Sequence, residues 1–195
     1  MNRRHLLATA AALAVAAAVP ARAQDAQAAQ ALVRTVSDEI LNLIRSPAGE
    51  AAKRSEFMAM MDRYGDMRQI AGFALGRHAR AMPDGLKPRY IDAFKRFVAA
   101  TYVPRFAEYS GERIEVGAAR PTSSGYAVET TIGRSAQPPL GVMWQISERS
   151  GQPLIEDFVI EGISMAMSQR GEFAAMIDRY GGNLEQFVQY LESRG

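Results

Sequence analysis

Asp157-Phe158-Val159-Ile160-Glu161-Gly162-Ile163-Ser164-Met165 runs directly into Ala166-Met167-Ser168-Gln169-Arg170-Gly171-Glu172-Phe173. The first part reads as an apolar strand that stops at a glycine, the second as a methionine-bearing helix capped by a serine. Apolar side chains point to both faces of the strand, and no catalytic group stands out in either part. That pattern describes a wall of a hydrophobic container better than an active site.

Three further segments upstream alternate at period two: 113–118, 126–134 and 140–148, joined to the 153–161 strand by Ser-Gly and Gly-Gln-Pro turns. Four strands of an antiparallel meander are expected. Tyr126, Val128, Thr130 and Ile132 form one row, and Leu140, Val142, Trp144 and Ile146 another with Met143 opposite. On the last strand Leu154, Glu156, Phe158 and Ile160 share a face. Helical periodicity covers 25–45, 50–63, 67–80 and 86–109 before the strands, and 164–180 and 183–191 after them. The 86–109 stretch carries Tyr90, Phe94, Phe97, Val98, Tyr102 and Phe106 on one stripe, and Pro104 should kink or split it. Helices, then sheet, then helices is an α+β order with the helices packed on one concave face.

The N-terminus reads as an export signal. Arg3, Arg4 and His5 make a basic start, Leu6 to Val19 an apolar run, and Pro20-Ala21-Arg22-Ala23 a small-x-small cleavage site. A membrane span needs about 20 apolar residues, so this run is short for one. Residues 1–23 are therefore expected to be cleaved, leaving one domain over 24–195. Asn2 to Leu7 also fits a loose twin-arginine pattern. Three of the chain's 23 basic side chains, Arg3, Arg4 and Arg22, leave with the signal, so 20 stand against 21 acidic ones. The basic character belongs to the precursor, and without a Lys/Arg cluster interleaved with aromatics nucleic acid is excluded as a partner. The chain has no cysteine, and past the signal only His78 remains. Disulfides, thiolate sites, a lipoprotein anchor and a multi-histidine metal site are excluded; no metal or cofactor is expected.

Candidate chemistry is sparse. Glu129, Glu148, Glu156, Asp157 and Glu161 are the acids on or beside the strands. A carboxylate enclosed by apolar groups would serve as the general base of an isomerase or hydrolase; the alternative pairs Asp157 and Glu161 with Arg170, Arg179 or backbone donors. His78 lacks spacing partners for a catalytic role. Arg77, Arg80, Lys87 and Arg89 surround the turn at Pro83, as a docking surface, a phosphate contact or a solvated face. The segments 54–65 and 170–181 echo one another, each closing on Tyr-Gly, and read as two amphipathic helices built from similar parts. Gly65 is expected to take a left-handed C-cap conformation. Nine methionines past the signal, including Met167, suit an adaptable apolar lining.

Trp144, the Asp157–Met165 block, Gln169-Arg170-Gly171-Glu172-Phe173 and Gly181-Gly182 together resemble the MlaC family. These are periplasmic phospholipid-binding proteins of the Mla lipid-trafficking system, also known as toluene-tolerance proteins. Ile70 to Arg77, Phe94 to Phe97 and Tyr109 to Ile114 match as well. One departure is His78-Ala79, where the family often carries a tryptophan. The resemblance implies a highly twisted sheet of about four strands wrapped by helices, a nuclear-transport-factor-like cone with an apolar cavity for acyl chains. It implies a non-enzymatic carrier of phospholipid between an outer-membrane lipoprotein–porin complex and an inner-membrane ABC transporter. By position, Ile163 falls at the strand-to-helix turn of the pocket, and Leu140, Val142 and Trp144 on its strand wall. Val128, Phe158, Ile160 and Met167 join them as candidates, with Phe94, Phe97, Val98 and Tyr102 taken from helical periodicity. The alternatives are an enzyme on the same cone, or a binder of another apolar ligand such as a hopanoid or an aromatic solvent.

Overall fold

Helix α1 (Ala21–Arg45) opens the computed structural model, which describes residues 21–108, 113–134, 138–148 and 151–195. The expected export signal lies outside the described residues as far as Pro20, and its cleavage site falls in the first turn of α1. Pro47 and Gly49 separate α1 from α2 (Glu50–Tyr64), and α3 (Met67–Leu75) follows. A 3-10 turn, Gly76–Ala81, ends α3 early, so the helix expected over 67–80 loses its last turn. Helix α4 (Lys87–Tyr102) stops just before Pro104, whose missing N–H and ring forbid continuation, and Val103–Glu108 continues as a 3-10 turn. Tyr109, the expected end of that helix, lies outside the described residues.

Five antiparallel strands then follow in sequence order, β1 (Ile114–Pro121), β2 (Gly125–Ile132), β3 (Leu140–Ser147), β4 (Leu154–Ile160) and β5 (Ile163–Ser164). The fifth strand corrects the expectation of about four. Ile163, expected at a strand-to-helix turn, instead lies in this short strand: Glu161 (φ 50°) and Gly162 (φ 82°) make a two-residue hairpin, and Ile163 pairs back with Ile160. Positive φ at both central positions is the mark of a type I′ turn, whose twist matches that of the strands it joins. Helices α5 (Met165–Arg179) and α6 (Leu184–Glu192) close the fold.

The register confirms the face assignments. Val128 stands opposite Trp144, Thr130 opposite Val142, Trp144 opposite Phe158 and Val142 opposite Ile160, so these side chains share the concave face. Helix α1 lies over β1 and β2, and its buried Val33, Val36 and Leu43 fill that face together with Met60 of α2. Helices α3 to α6 build a second layer around Tyr90, Phe94, Phe173 and Phe187.

The 54–65 and 170–181 echo ends in two different ways. Gly181 (φ 60°) and Gly182 (φ 83°) take the left-handed cap. Gly65 does not: it is extended (φ −100°, ψ 141°) and bridges to Ile155 of β4, while Asp66 N–H donates to the Ile155 carbonyl at 2.9 Å. Docking against the sheet overrides the local cap preference. A Cβ on Gly65 would lie 2.9 Å from the Met61 carbonyl oxygen and 3.0 Å from Met67 Sδ. Gly65→Ala is therefore expected to cost about 1–3 kcal/mol by overpacking, read as a lower midpoint in urea unfolding. An unchanged midpoint would show that this approach is not tight.

Candidate functional site

The concave wall is apolar with one polar pair inside it. Trp144 Nε1–H donates to Thr130 Oγ1 at 2.9 Å, and the Thr130 hydroxyl donates onward to the Val142 carbonyl at 3.3 Å. A buried indole N–H needs such a partner. The Trp144 ring meets Phe158 edge-on, with centroids 4.8 Å apart. Thr130 was legible only as a polar member of an apolar row, and its service to Trp144 depends on the β2–β3 register.

The buried apolar residues fall into two clusters rather than one. The sheet core holds Val128, Leu140, Val142 and Trp144, with Phe158, Ile160 and Phe106 packed against its edge. The helical core holds Phe94, with Phe97 and Val98 packed against it. Phe94 and Phe97 both turn their rings to Phe173 of α5, at 5.8 and 5.7 Å, and Tyr90 contacts Phe187 of α6 at 6.2 Å. The α4 stripe thus packs on other helices, whereas periodicity says only that a stripe is buried.

Three segments cross from one core to the other. Tyr64 packs in the sheet core and Met67 in the helical one. Val98 belongs to the helical core and Phe106 to the sheet core, where Phe106 meets Phe57 at 5.4 Å; half-buried Tyr102 stands between them. Ile160 packs in the sheet core and Phe173 in the helical core, and between these lie Ile163 and Met167, 59% and 56% exposed. Residues of α1 and α2, with Phe106, pack in the same cluster as the concave face. Phe97 and Val98 border the helical core and Phe158 and Ile160 the sheet core, with half-buried Tyr102 on one connecting segment and exposed Ile163 on another. Two surface clefts lie elsewhere. One, of about 620 Å³, runs past Pro83, Leu86, Asn183 and Glu185, and the other, of about 680 Å³, past Asp25, Thr122 and Glu148.

The strand-to-helix turn after Ile163 is fastened by Asp157. Its carboxylate accepts from Phe158 N–H and Ala166 N–H, each at 2.8 Å, and from the Ser164 hydroxyl at 2.5 Å. Ser164 Oγ in turn accepts from Met167 N–H at 3.0 Å, capping α5. Backbone donors, not Arg170 or Arg179, therefore occupy Asp157. Arg170 lies over the Phe73 ring at 5.1 Å. Glu161 is exposed, 4.0 Å from Arg134, and Glu129 is exposed too. Neither is enclosed in an apolar pocket.

Three members of the basic cluster around Pro83 are paired with carboxylates, while Arg80 is exposed. Arg77 grips both oxygens of Asp178 at 2.6 and 2.7 Å, Lys87 meets Asp84 at 2.6 Å, and Arg89 spans Glu185 and Glu192 at 2.5 and 2.6 Å. His78 Nε2 accepts from Arg77 Nε–H at 3.2 Å. Burial pushes the Tyr90 phenol well above its ordinary range, and its hydroxyl donates to the Ala71 carbonyl at 2.8 Å, joining α4 to α3.

A twisted one-sided sheet closed by helices places this protein in the cone-shaped α+β class. The chain belongs to the MlaC family, whose family model, described as MlaC protein, matches residues 34–193. Among solved structures it is similar to a phospholipid-binding protein from Ralstonia solanacearum, determined in complex with a phospholipid. The two share a TM-score of 0.72 at 21% identity, over 85% of this chain and 96% of that one.

Asp157→Ala would leave the Ala166 N–H and the Ser164 hydroxyl without their acceptor. A loss of about 1–2 kcal/mol is expected, the worth of a good N-cap, together with faster amide exchange at Ala166. Wild-type exchange in the variant would show that Asp157 does not hold the turn.

Proposed function

We propose that this protein is a non-enzymatic periplasmic phospholipid carrier. It would take the acyl chains of one lipid between its two cores and move that lipid between an outer-membrane Mla lipoprotein–porin complex and an inner-membrane Mla ABC transporter. Membership of the MlaC family supports this reading, as does the similarity of fold to a protein whose structure contains a phospholipid. The observation that carries it is the divided interior. A single close-packed core offers no low-cost place to insert a chain, whereas edges that are only half-buried separate at smaller cost.

The energetics favour a carrier that never releases its cargo into water. Two acyl chains hold about 30 methylenes at about 0.8 kcal/mol each, so about 25 kcal/mol separates lipid between the cores from lipid in water. Delivery must then occur in contact with a receiving complex. No chemical step is needed, and Asp157 is already taken up by the Ser164 hydroxyl and the Ala166 N–H at the start of α5.

Organic extracts of the freshly purified protein, analysed by mass spectrometry, are expected to contain phospholipid at about one molecule per chain; extracts without phospholipid overturn the reading. Ile163→Asp, a change at an exposed position, should lower that occupancy severalfold while leaving the circular dichroism spectrum unchanged. Undiminished occupancy would remove Ile163 from the path of the chains.

A further inference from the structure

Three large apolar side chains stand out as exposed among the described residues: Met143 at 36%, Ile163 at 59% and Met167 at 56%. The register brings them to one region. Met143 stands opposite Val159, and Val159 opposite Ser164, so these three share the face turned away from Trp144 and Phe158. Ser164 follows Ile163 and caps the helix that carries Met167, whose N–H donates to Ser164 Oγ at 3.0 Å. Met167 also lies on the segment that passes from Ile160 of the sheet core to Phe173 of the helical core.

The chain has no cysteine, so methionine sulfur is the nucleophile it offers to a peroxide. Sulfur attacks one peroxide oxygen, and the O–O bond breaks as the S–O bond forms. The displaced hydroxide takes the proton from the transferred oxygen and leaves as water. Sulfur is oxidised by two electrons, the peroxide is reduced by two, and a polar sulfoxide replaces an apolar thioether. Attack requires an open sulfur. Met60 and Met82 are 3% and 4% exposed, each enclosed in one of the two cores. The Met143 sulfur accepts from the Gln145 amide at 3.6 Å, which draws on its lone pair. Met167 is the more exposed of the two open methionines.

We infer that Met167 is an oxidation site for peroxides, with Met143 a slower second site, and that the Met167 sulfoxide lowers lipid loading. The loading step rests on the carrier reading above. Under that reading acyl chains pass the junction where Ile163 and Met167 are exposed, and a sulfoxide there must give up its water to them. Met143 differs in consequence as well as in rate. The Gln145 amide beside it can donate to the new oxygen, so its sulfoxide keeps a hydrogen-bond partner. Sulfoxides are returned to thioethers by dedicated reductases, which makes the change reversible.

The test titrates delipidated protein with hydrogen peroxide and reads oxygen uptake at each methionine by peptide mass spectrometry. Met167 should convert first, Met143 severalfold more slowly, and Met60 and Met82 last. Loading from phospholipid vesicles should fall about fivefold after oxidation, the low end for desolvating a polar group. Reductases of both sulfoxide epimers should restore it, which unfolding would not allow. Each variant is judged by its loading before and after peroxide, whatever its starting level. Met167→Leu, which keeps the apolar volume, should show no fall, and Met143→Leu should show the wild-type fall. Equal conversion of all methionines, a fall that persists in Met167→Leu, or selective conversion with unchanged loading overturns this inference and leaves the carrier reading standing. Protein that takes up no lipid before oxidation overturns both.

Discussion

Any segment that joins the sheet to the helical layer must cross from one apolar core to the other, and this constraint shapes the fold more than any single contact. A crossing has no apolar partner at its midpoint, so its backbone must be tied by polar groups or by close approach. At Gly65 the tie is a backbone bridge to β4, where the missing Cβ leaves room for the Met61 carbonyl and Met67. At the strand-to-helix turn it is the Asp157 carboxylate, which holds two backbone N–H groups and a hydroxyl at once. At Tyr102 it is an amphipathic ring beneath an arginine. These ties keep two cores in register without merging them.

Elements whose evidence is local were legible in the sequence. The strand faces followed from period two because a meander pairs neighbours in order, and Pro104 marked the end of α4 through its own covalent geometry. Choices of partner were not legible. The α4 stripe shows that Phe94 and Phe97 are buried, but only tertiary contact assigns them to Phe173 instead of the sheet. The Tyr-Gly endings show the same limit. One glycine turns left-handed where the chain is free to cap, and the other stays extended because a strand edge offers it a hydrogen-bonding partner. The hydrogen bond from Trp144 to Thr130 was likewise out of reach, because it depends on the β2–β3 register.

A lipid carrier has opposing physical requirements. It must bury about as much apolar surface as a small protein core does, yet remain folded when that surface is withdrawn. Under the carrier function proposed above, separate cores would meet both requirements, since each keeps its own packing. In that reading bound lipid would raise the free energy of unfolding by RT ln(1 + [L]/Kd).

The helical core also has a temporal consequence. Its aromatic cluster joins Tyr90 and Phe94 to Phe173 and Phe187, with the whole sheet lying between them in the chain. During synthesis, which proceeds from the N-terminus, α3 and α4 emerge long before the residues that cover them. The nascent polypeptide therefore cannot complete its fold until α6 has left the ribosome, and it remains open to chaperones for nearly all of its translation.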